Sequence, residues 1–440
     1  MTQSVTNLET AGPAVKNHGW SVTFAGMGIN LALGVLYSWS VISEGMVKQK
    51  WGWTASERSL PFSIACLVFC LVMVPAGRMQ DRLSPRLVAT IGGILVGAGM
   101  LLASLVGNSV MGYVIGFGVL AGAGIGCGYA SATPPAVKWF PRVKTGLIAG
   151  IVVSGFGLAS VYIAPLAKWM IDTIGLNYTV MALGIGFLVV VCGLAQLLKP
   201  PPAGFSPDVA KPAGAGTTLP AGMVKKENFT PIEILKTWQF YLIWFLYACG
   251  AGAGLMVISI AKTLGSAVKT DAAGSADYAA KVGTVAVIAL AIGNGAGRIV
   301  AGIVSDKLGR KATLVIFMVC QAGMVLLLSL VKPNTPLATM AAIAALAAIV
   351  GANYGSNLSL FPSVAKDYYG LKNFGVNYGL VFTAWGIGGF VLSLIAGYVK
   401  DQTGTFTYSY YGSAVLLVAA ALASLALKAP HHREKATQAG

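Results

Sequence analysis

The chain has 440 residues, 56% of them hydrophobic and only 10% charged, whereas soluble globular chains carry about a quarter charged residues; a water-soluble fold of that composition would lack the polar surface to cover itself. A formal net charge of +16 raises nucleic acid as a partner, but the basic residues are scattered over many polar breaks instead of forming a patch or stripe, so no nucleic acid is expected. The six cysteines, Cys66, Cys70, Cys127, Cys192, Cys249 and Cys320, all fall in apolar runs, which speaks against a disulfide framework or a metal site and for small packing residues.

In chain order, residues 1–19 are polar and lack the charged, apolar and small-residue order of a cleaved signal, so they read as a cytosolic tail and the first apolar run as a retained anchor. Runs of roughly twenty apolar residues follow, each long enough to cross a hydrocarbon core of about 30 Å as a helix. Six spans are predicted within 20–198, at about 20–43, 58–77, 87–107, 109–136, 145–166 and 178–198. Residues 199–236 hold Pro200, Pro201, Pro202, Pro207, Pro212, Pro220 and Pro231 with Lys211, Lys225 and Lys226; such a segment reads as a cytosolic linker. Six more spans are predicted within 237–428, at about 237–261, 282–304, 312–331, 336–362, 374–398 and 407–428, before a tail at 429–440. The expected fold is therefore an all-α membrane protein with twelve transmembrane helices in two six-helix bundles. An amino terminus in the cytosol places most Lys and Arg on cytosolic segments. That pattern predicts a multi-pass protein of the cytoplasmic (inner) membrane with both termini cytosolic and a residual affinity for anionic lipid headgroups.

The two sets of spans resemble each other. Gly77, Arg78, Met79, Gln80, Asp81, Arg82, Leu83, Ser84, Pro85 and Arg86 follow the second span; Gly302, Ile303, Val304, Ser305, Asp306, Lys307, Leu308, Gly309, Arg310 and Lys311 follow the eighth, 225 residues later. At the same offset Tyr129 matches Tyr354, and at an offset of 229 Gly146, Gly150 and Gly157 match Gly375, Gly379 and Gly386. A duplication accounts for these pairs. Both loops resemble the Gly-x-x-x-Asp-Arg/Lys-x-Gly-Arg-Lys signature of the major facilitator superfamily; the second copy matches better, and the first departs at Ser84 and Pro85. The resemblance implies pseudo-symmetric six-helix bundles that rock about a site near the midplane. It further implies a locking role at the cytosolic side for Asp81 and Asp306, with Arg82, Lys307 and Arg310 as the basic members of the pattern. Glycines four apart, such as Gly146 and Gly150, Gly293 and Gly297, and Gly375 and Gly379, suit close, sliding helices. The run Gly122, Gly124, Gly126, Gly128 lacks the spacing and the preceding strand of a dinucleotide loop.

One charge lies inside a predicted span. Arg298 sits eight positions before Asp306 and hence roughly 12 Å deeper along the eighth helix. Inserting an arginine there costs about 2.5–3.5 kcal/mol or more, and arginine does not shed its proton to escape. All 14 acidic residues map to termini, loops or span edges. The simplest counter-ion is a transported anion whose carboxylate accepts from the guanidinium fork; snorkelling to the interface and pairing with an edge carboxylate are the alternatives. Asn294, one turn away on the same face, can orient the arginine or the anion, or simply bond a neighbouring helix. Tyr129 and Tyr354, related by the repeat, are candidate cavity donors, as are Tyr37 and Tyr378, with Trp385 a candidate wall; for each, plain packing is the competing reading.

Arg298 with the Asn-x-x-x-Arg turn, Tyr129 after the glycine run, and Asn377, Tyr378, Gly379, Leu380 resemble the oxalate/formate antiporter and monocarboxylate transporter branch of that superfamily. Oxalate carriers of the branch place a lysine in a Thr-Ala-Lys-Gly context of span eleven. This chain has Thr383, Ala384, Trp385, Gly386, which leaves one fixed cation and favours a monoanion. Animal monocarboxylate transporters read Asp-x-x-x-Arg, the aspartate being linked to proton coupling; Asn294 does not titrate. His18, His431 and His432 lie near the termini, so no relay is visible. The resemblance thus implies a functional monomer without cofactor that carries a small organic monoanion such as lactate or pyruvate, with protons by symport, or alternatively exchanges oxalate- or formate-type anions. No catalytic motif stands in the spans, so transport and not catalysis is expected.

Overall fold

The computed structural model describes residues 17–140, 145–202, 205, 228–268, 275–370 and 373–430. Twelve long helices account for nearly all of them. α1 (Gly19–Lys48), α2 (Ala55–Arg82), α3 (Pro85–Leu105), α4 (Val110–Val137), α5 (Thr145–Ile174) and α6 (Leu176–Ala195) precede the 199–230 interval. α7 (Trp238–Ala267), α8 (Ser275–Leu308), α9 (Arg310–Ser329), α10 (Met340–Tyr369), α11 (Phe374–Thr403) and α12 (Thr407–Ser424) follow it. Eleven are long and apolar enough to cross a membrane. α12, at 18 residues, has the length, but it opens with Thr407, Tyr408, Ser409, Tyr410 and Tyr411 and falls short on composition.

Local signals set the helix ends. Thr54 and Glu57 form a capping box at the start of α2, Ser84 caps α3 ahead of Pro85, and Thr339 caps α10, each satisfying a backbone N–H that the helix itself leaves bare. Gly404 ends α11 at φ 73°, a left-handed conformation that glycine adopts without strain. Three helices are irregular inside. A 3₁₀ stretch, Gly34–Ser38, interrupts α1, a π turn, Val114–Ala121, lies in α4, and α7 finishes as 3₁₀ at Ala261–Ala267.

The helices overrun the predicted spans at many ends. α1 reaches Lys48 and not 43, α5 reaches Ile174 and not 166, and α8 starts at Ser275 and not 282. Hydropathy registers only the apolar stretch, whereas hydrogen bonding carries the helix on into polar surroundings. One overrun changes the charge inventory: α7 continues past the expected end at about 261 and carries Lys262 inward, where it is 6% exposed. The Nζ of Lys262 donates to the Ala280 carbonyl and to Thr284 Oγ1 of α8. Arg298 is therefore not the only buried cation, contrary to the expectation of a single one.

Large apolar side chains stand on the outside, including Val415, Ile299 and Leu422 at 69%, 65% and 64% exposure, which is how a lipid-facing surface is built. Contacts inside each set of six repeat. α2 packs on α4 as α8 does on α10; α1 on α5 as α7 on α11; α3 on α6 as α9 on α12. Between the sets, α2 meets α11 and α5 meets α8, which are the same pair under the repeat. The start of α1, the end of α4 and Lys199, just past α6, share one face, where His18 contacts Trp139 at 5.9 Å between ring centroids and Trp139 Nε1 donates to the Lys199 carbonyl at 2.7 Å. This is the terminal face; the opposite one is the distal face. On the distal face Asp401 of α11 accepts from the backbone N–H groups of Ala55 and Ser56 of α2 at 2.7 and 2.8 Å, and the second part of α1 packs on the end of α7.

Candidate functional site

α8 is fixed against α10 by glycines on both. A Cβ at Gly293 or Gly297 would stand 1.9 or 2.0 Å from the carbonyl oxygens of Ala348 or Ala352, and one at Gly351 or Gly355 would stand 2.1 Å from those of Leu290 or Asn294. Only bare backbones approach so closely. Beside that seam, Asn294 keeps its Oδ1 near Gly355 of α10, and Arg298, one turn on, reaches across to α5 of the other set.

Arg298 is 8% exposed and Asn294 fully buried. Nε of Arg298 donates to Asn294 Oδ1 at 3.2 Å, and Nη1 donates to the Val153 carbonyl of α5 at 2.8 Å. Nη2 of Arg298 and Nδ2 of Asn294 are buried donors with no acceptor. Among the described residues no carboxylate lies within ion-pair distance of the guanidinium. Among the described residues neither alternative is seen: the side chain stays buried at 8% exposure and no edge aspartate or glutamate meets it. Buried unpaired donors are unfavourable by about 1–3 kcal/mol each and more when charged. Two such donors on one helix face suit an anion with two oxygens.

Around this turn stand aromatic rings from both sets. The Tyr37 and Tyr354 hydroxyls are 2.5 Å apart, and Trp385 Nε1 donates to Tyr354 Oη at 2.8 Å, so a chain of three side chains joins α1, α10 and α11. Tyr129 contacts Phe69, Phe156 and Phe382, with centroids 5.3, 5.4 and 6.2 Å away. Trp385 lies on Phe382 at 5.1 Å and against Phe69 at 5.0 Å. The Tyr378 hydroxyl lies 3.4 Å from that of Tyr247. The structure thus gathers Tyr37, Tyr354 and Trp385 into one hydrogen-bonded group and sets Tyr129 in the adjoining ring cluster, while Tyr378 is turned towards Tyr247. Phe69, Phe156, Phe382 and Tyr247 were not anticipated; an aromatic residue in an apolar run carries no mark that separates a wall from packing.

Of the residues in the repeated loops, Asp81 lies in the last turn of α2 and Asp306 in that of α8, with side chains outside the described residues. Arg82 and Lys307 are exposed. Arg310 starts α9; its Nε donates to Asp367 Oδ2 of α10 at 3.0 Å, and Nη1 donates to Ser305 Oγ of α8. That cluster ties three helices of the second set together at the terminal face.

The family model described as Major Facilitator Superfamily matches residues 19–276 and 273–440. The chain is 30% identical to the uncharacterised MFS-type transporter YhjX of Escherichia coli over 359 residues, covering 81% of this chain and 82% of that one. It is 28% identical over 351 residues to the oxalate:formate antiporter of Oxalobacter formigenes, covering 80% and 77%. To monocarboxylate transporter 11 of Mus musculus it is 25% identical over 406 residues, covering 91% and 85%.

Proposed function

The chain belongs to the major facilitator superfamily, and from that premise we propose that it is a secondary transporter of small monocarboxylate anions, lactate-like in size, working by alternating access with proton-coupled symport. The observation that carries this reading is the pair of orphaned donors, Arg298 Nη2 and Asn294 Nδ2, on one buried turn of α8. A carboxylate satisfies both at once and neutralises the guanidinium. Two points favour a monoanion. Trp385 occupies the position at which oxalate carriers of the resembling branch have lysine, and Lys262 is out of reach: it bonds Thr284, fourteen residues before Arg298 and so roughly 21 Å away along α8. The same reading puts the terminal face in the cytosol and the protein in the cytoplasmic membrane as a monomer, with lipid and protons as its other partners.

The test is uptake of radiolabelled lactate and related acids into proteoliposomes, with and without an inward proton gradient. Wild-type protein should show saturable, gradient-driven uptake; Arg298→Ala should abolish it, and Asn294→Ala should weaken it about tenfold or more in kcat/KM, the loss of one hydrogen bond to a charged group. Full uptake by the arginine variant removes the reading. Exchange of oxalate- or formate-type anions is the second reading, favoured by the likeness to the oxalate:formate antiporter and by an amide at 294 that does not titrate. Exchange requires a preloaded counter-anion, so gradient-driven uptake into empty vesicles rejects it.

A further inference from the structure

The Val153 carbonyl and the bare Cα of Gly157 lie one turn apart on α5, and both face the guanidinium of Arg298 from across the seam between the two sets. Nη1 donates to Val153 at 2.8 Å. A Cβ built at Gly157 would stand 3.2 Å from Nη2, 3.3 Å from Cζ and 3.4 Å from Nε, so all three nearest atoms belong to the fork. A methyl there would press the guanidinium away by a few tenths of an ångström. On the other side of the same turn, Asn30 Nδ2 of α1 donates to the Val152 carbonyl at 2.8 Å. Helical carbonyls have a second lone pair, so both bonds form without unwinding α5, and the turn is gripped from two sides.

A carboxylate is a stronger acceptor for a guanidinium than a neutral carbonyl is. Resting on the reading of Arg298 as the anion's ligand, we propose that Gly157 is a positioning residue for substrate binding and that the Val153 carbonyl is the partner an arriving carboxylate displaces from Nη1. Gly157 keeps the fork against α5 with Nη2 turned to the cargo. The displaced bond is one that spans α5 and α8, so loading the site loosens the seam along which the halves separate. Occupancy and movement are thereby linked through a single backbone acceptor.

Lactate KM and kcat in proteoliposomes, with Kd from tryptophan fluorescence titration in detergent, test this. Gly157→Ala should raise KM and Kd about tenfold, and Gly157→Val further, with kcat within about twofold of wild type. The same substitutions at Gly150, where nothing lies within 4 Å, should leave all three unchanged. With Arg298→Lys, which has no planar fork, Gly157→Ala should add no further rise in Kd. Unmoved KM and Kd in the Gly157 variants, or losses that add in full to those of Arg298→Lys, overturn the proposal. Should Gly157→Ala alone fail to fold, Arg298→Lys should restore folded protein, and failure to restore it also overturns the proposal. If Arg298→Ala loses uptake while the Gly157 variants keep their KM, this inference alone falls; if Arg298→Ala transports normally, the transport reading falls with it.

Discussion

Tyr354 is the residue on which two others converge, because its hydroxyl accepts from Trp385 and shares a hydrogen bond with Tyr37. Tyr354→Phe therefore strands the buried Trp385 N–H and should destabilise by about 1–3 kcal/mol, whereas Tyr37→Phe leaves the tryptophan bond intact and should lose about 0.5–1.5 kcal/mol. Thermal unfolding of the two purified variants ranks them, and equal losses contradict the assignment of donors. At this scale, legibility in the sequence followed chemistry. Arg298 and Asn294 stood out because a cation and an amide are foreign to an apolar helix. Phe69, Phe156 and Phe382 did not, because a ring is at home there whatever it does. Lys262 was placed outside the membrane only because the span was ended one residue too early.

The α8–α10 seam shows at the level of elements how backbone contact holds a polar turn in place. Gly297 has the Ala352 carbonyl at 2.0 Å from the place a Cβ would take, and Gly302, nearer the end of the same helix, has nothing within 4 Å. Gly297→Ala should accordingly lower stability by about 1–3 kcal/mol through overpacking and reduce the uptake that depends on Arg298 beside it. Gly302→Ala should be neutral or slightly stabilising, since alanine favours the helix by up to about 1 kcal/mol over glycine. Melting temperatures of the two variants decide, and the reverse order would sink the packing account. The apolar runs were legible, and so was the Gly293 and Gly297 pair; Gly150, read in the same way, has nothing within 4 Å of a would-be Cβ, because spacing alone does not say which face meets a neighbour. The helix overruns and the 3₁₀ and π stretches were not, since backbone hydrogen bonding continues where hydropathy ends.

For the whole molecule, the repeat read from the two loops reappears as matched packing of α2 on α11 and of α5 on α8. How the distal face closes was not legible, because Asp401 looks like any carboxylate at a span edge. Its oxygens accept from Ala55 N, Ser56 N and Ser56 Oγ, 345 and more positions away in sequence. Further in along the same seam, Cys66 and Cys70 are buried against Gly389 and Gly386. Asp401→Ala should weaken the closure and raise the labelling rate of Cys66 and Cys70 by a membrane-impermeant maleimide about tenfold or more, the weight of one hydrogen bond to a charged group. Unchanged labelling would mean that the remaining contacts hold the face shut alone.

The beginning of α2 is finished twice over, once by its own Thr54 and Glu57 and once by a carboxylate borrowed from the far half. When the halves part, the local cap stays and the borrowed one leaves, so the helix start survives while Asp401 and two N–H groups pass to water. Water is a good host to each of them, which is why a charge-assisted bond is worth only about 1.5–3 kcal/mol net and not its full strength in isolation. Under the proposed alternating access, part of the bias between outward and inward facing rests on how well solvent can stand in for one aspartate, a quantity that salt, osmolytes and neighbouring charge can tune at a distance from Arg298.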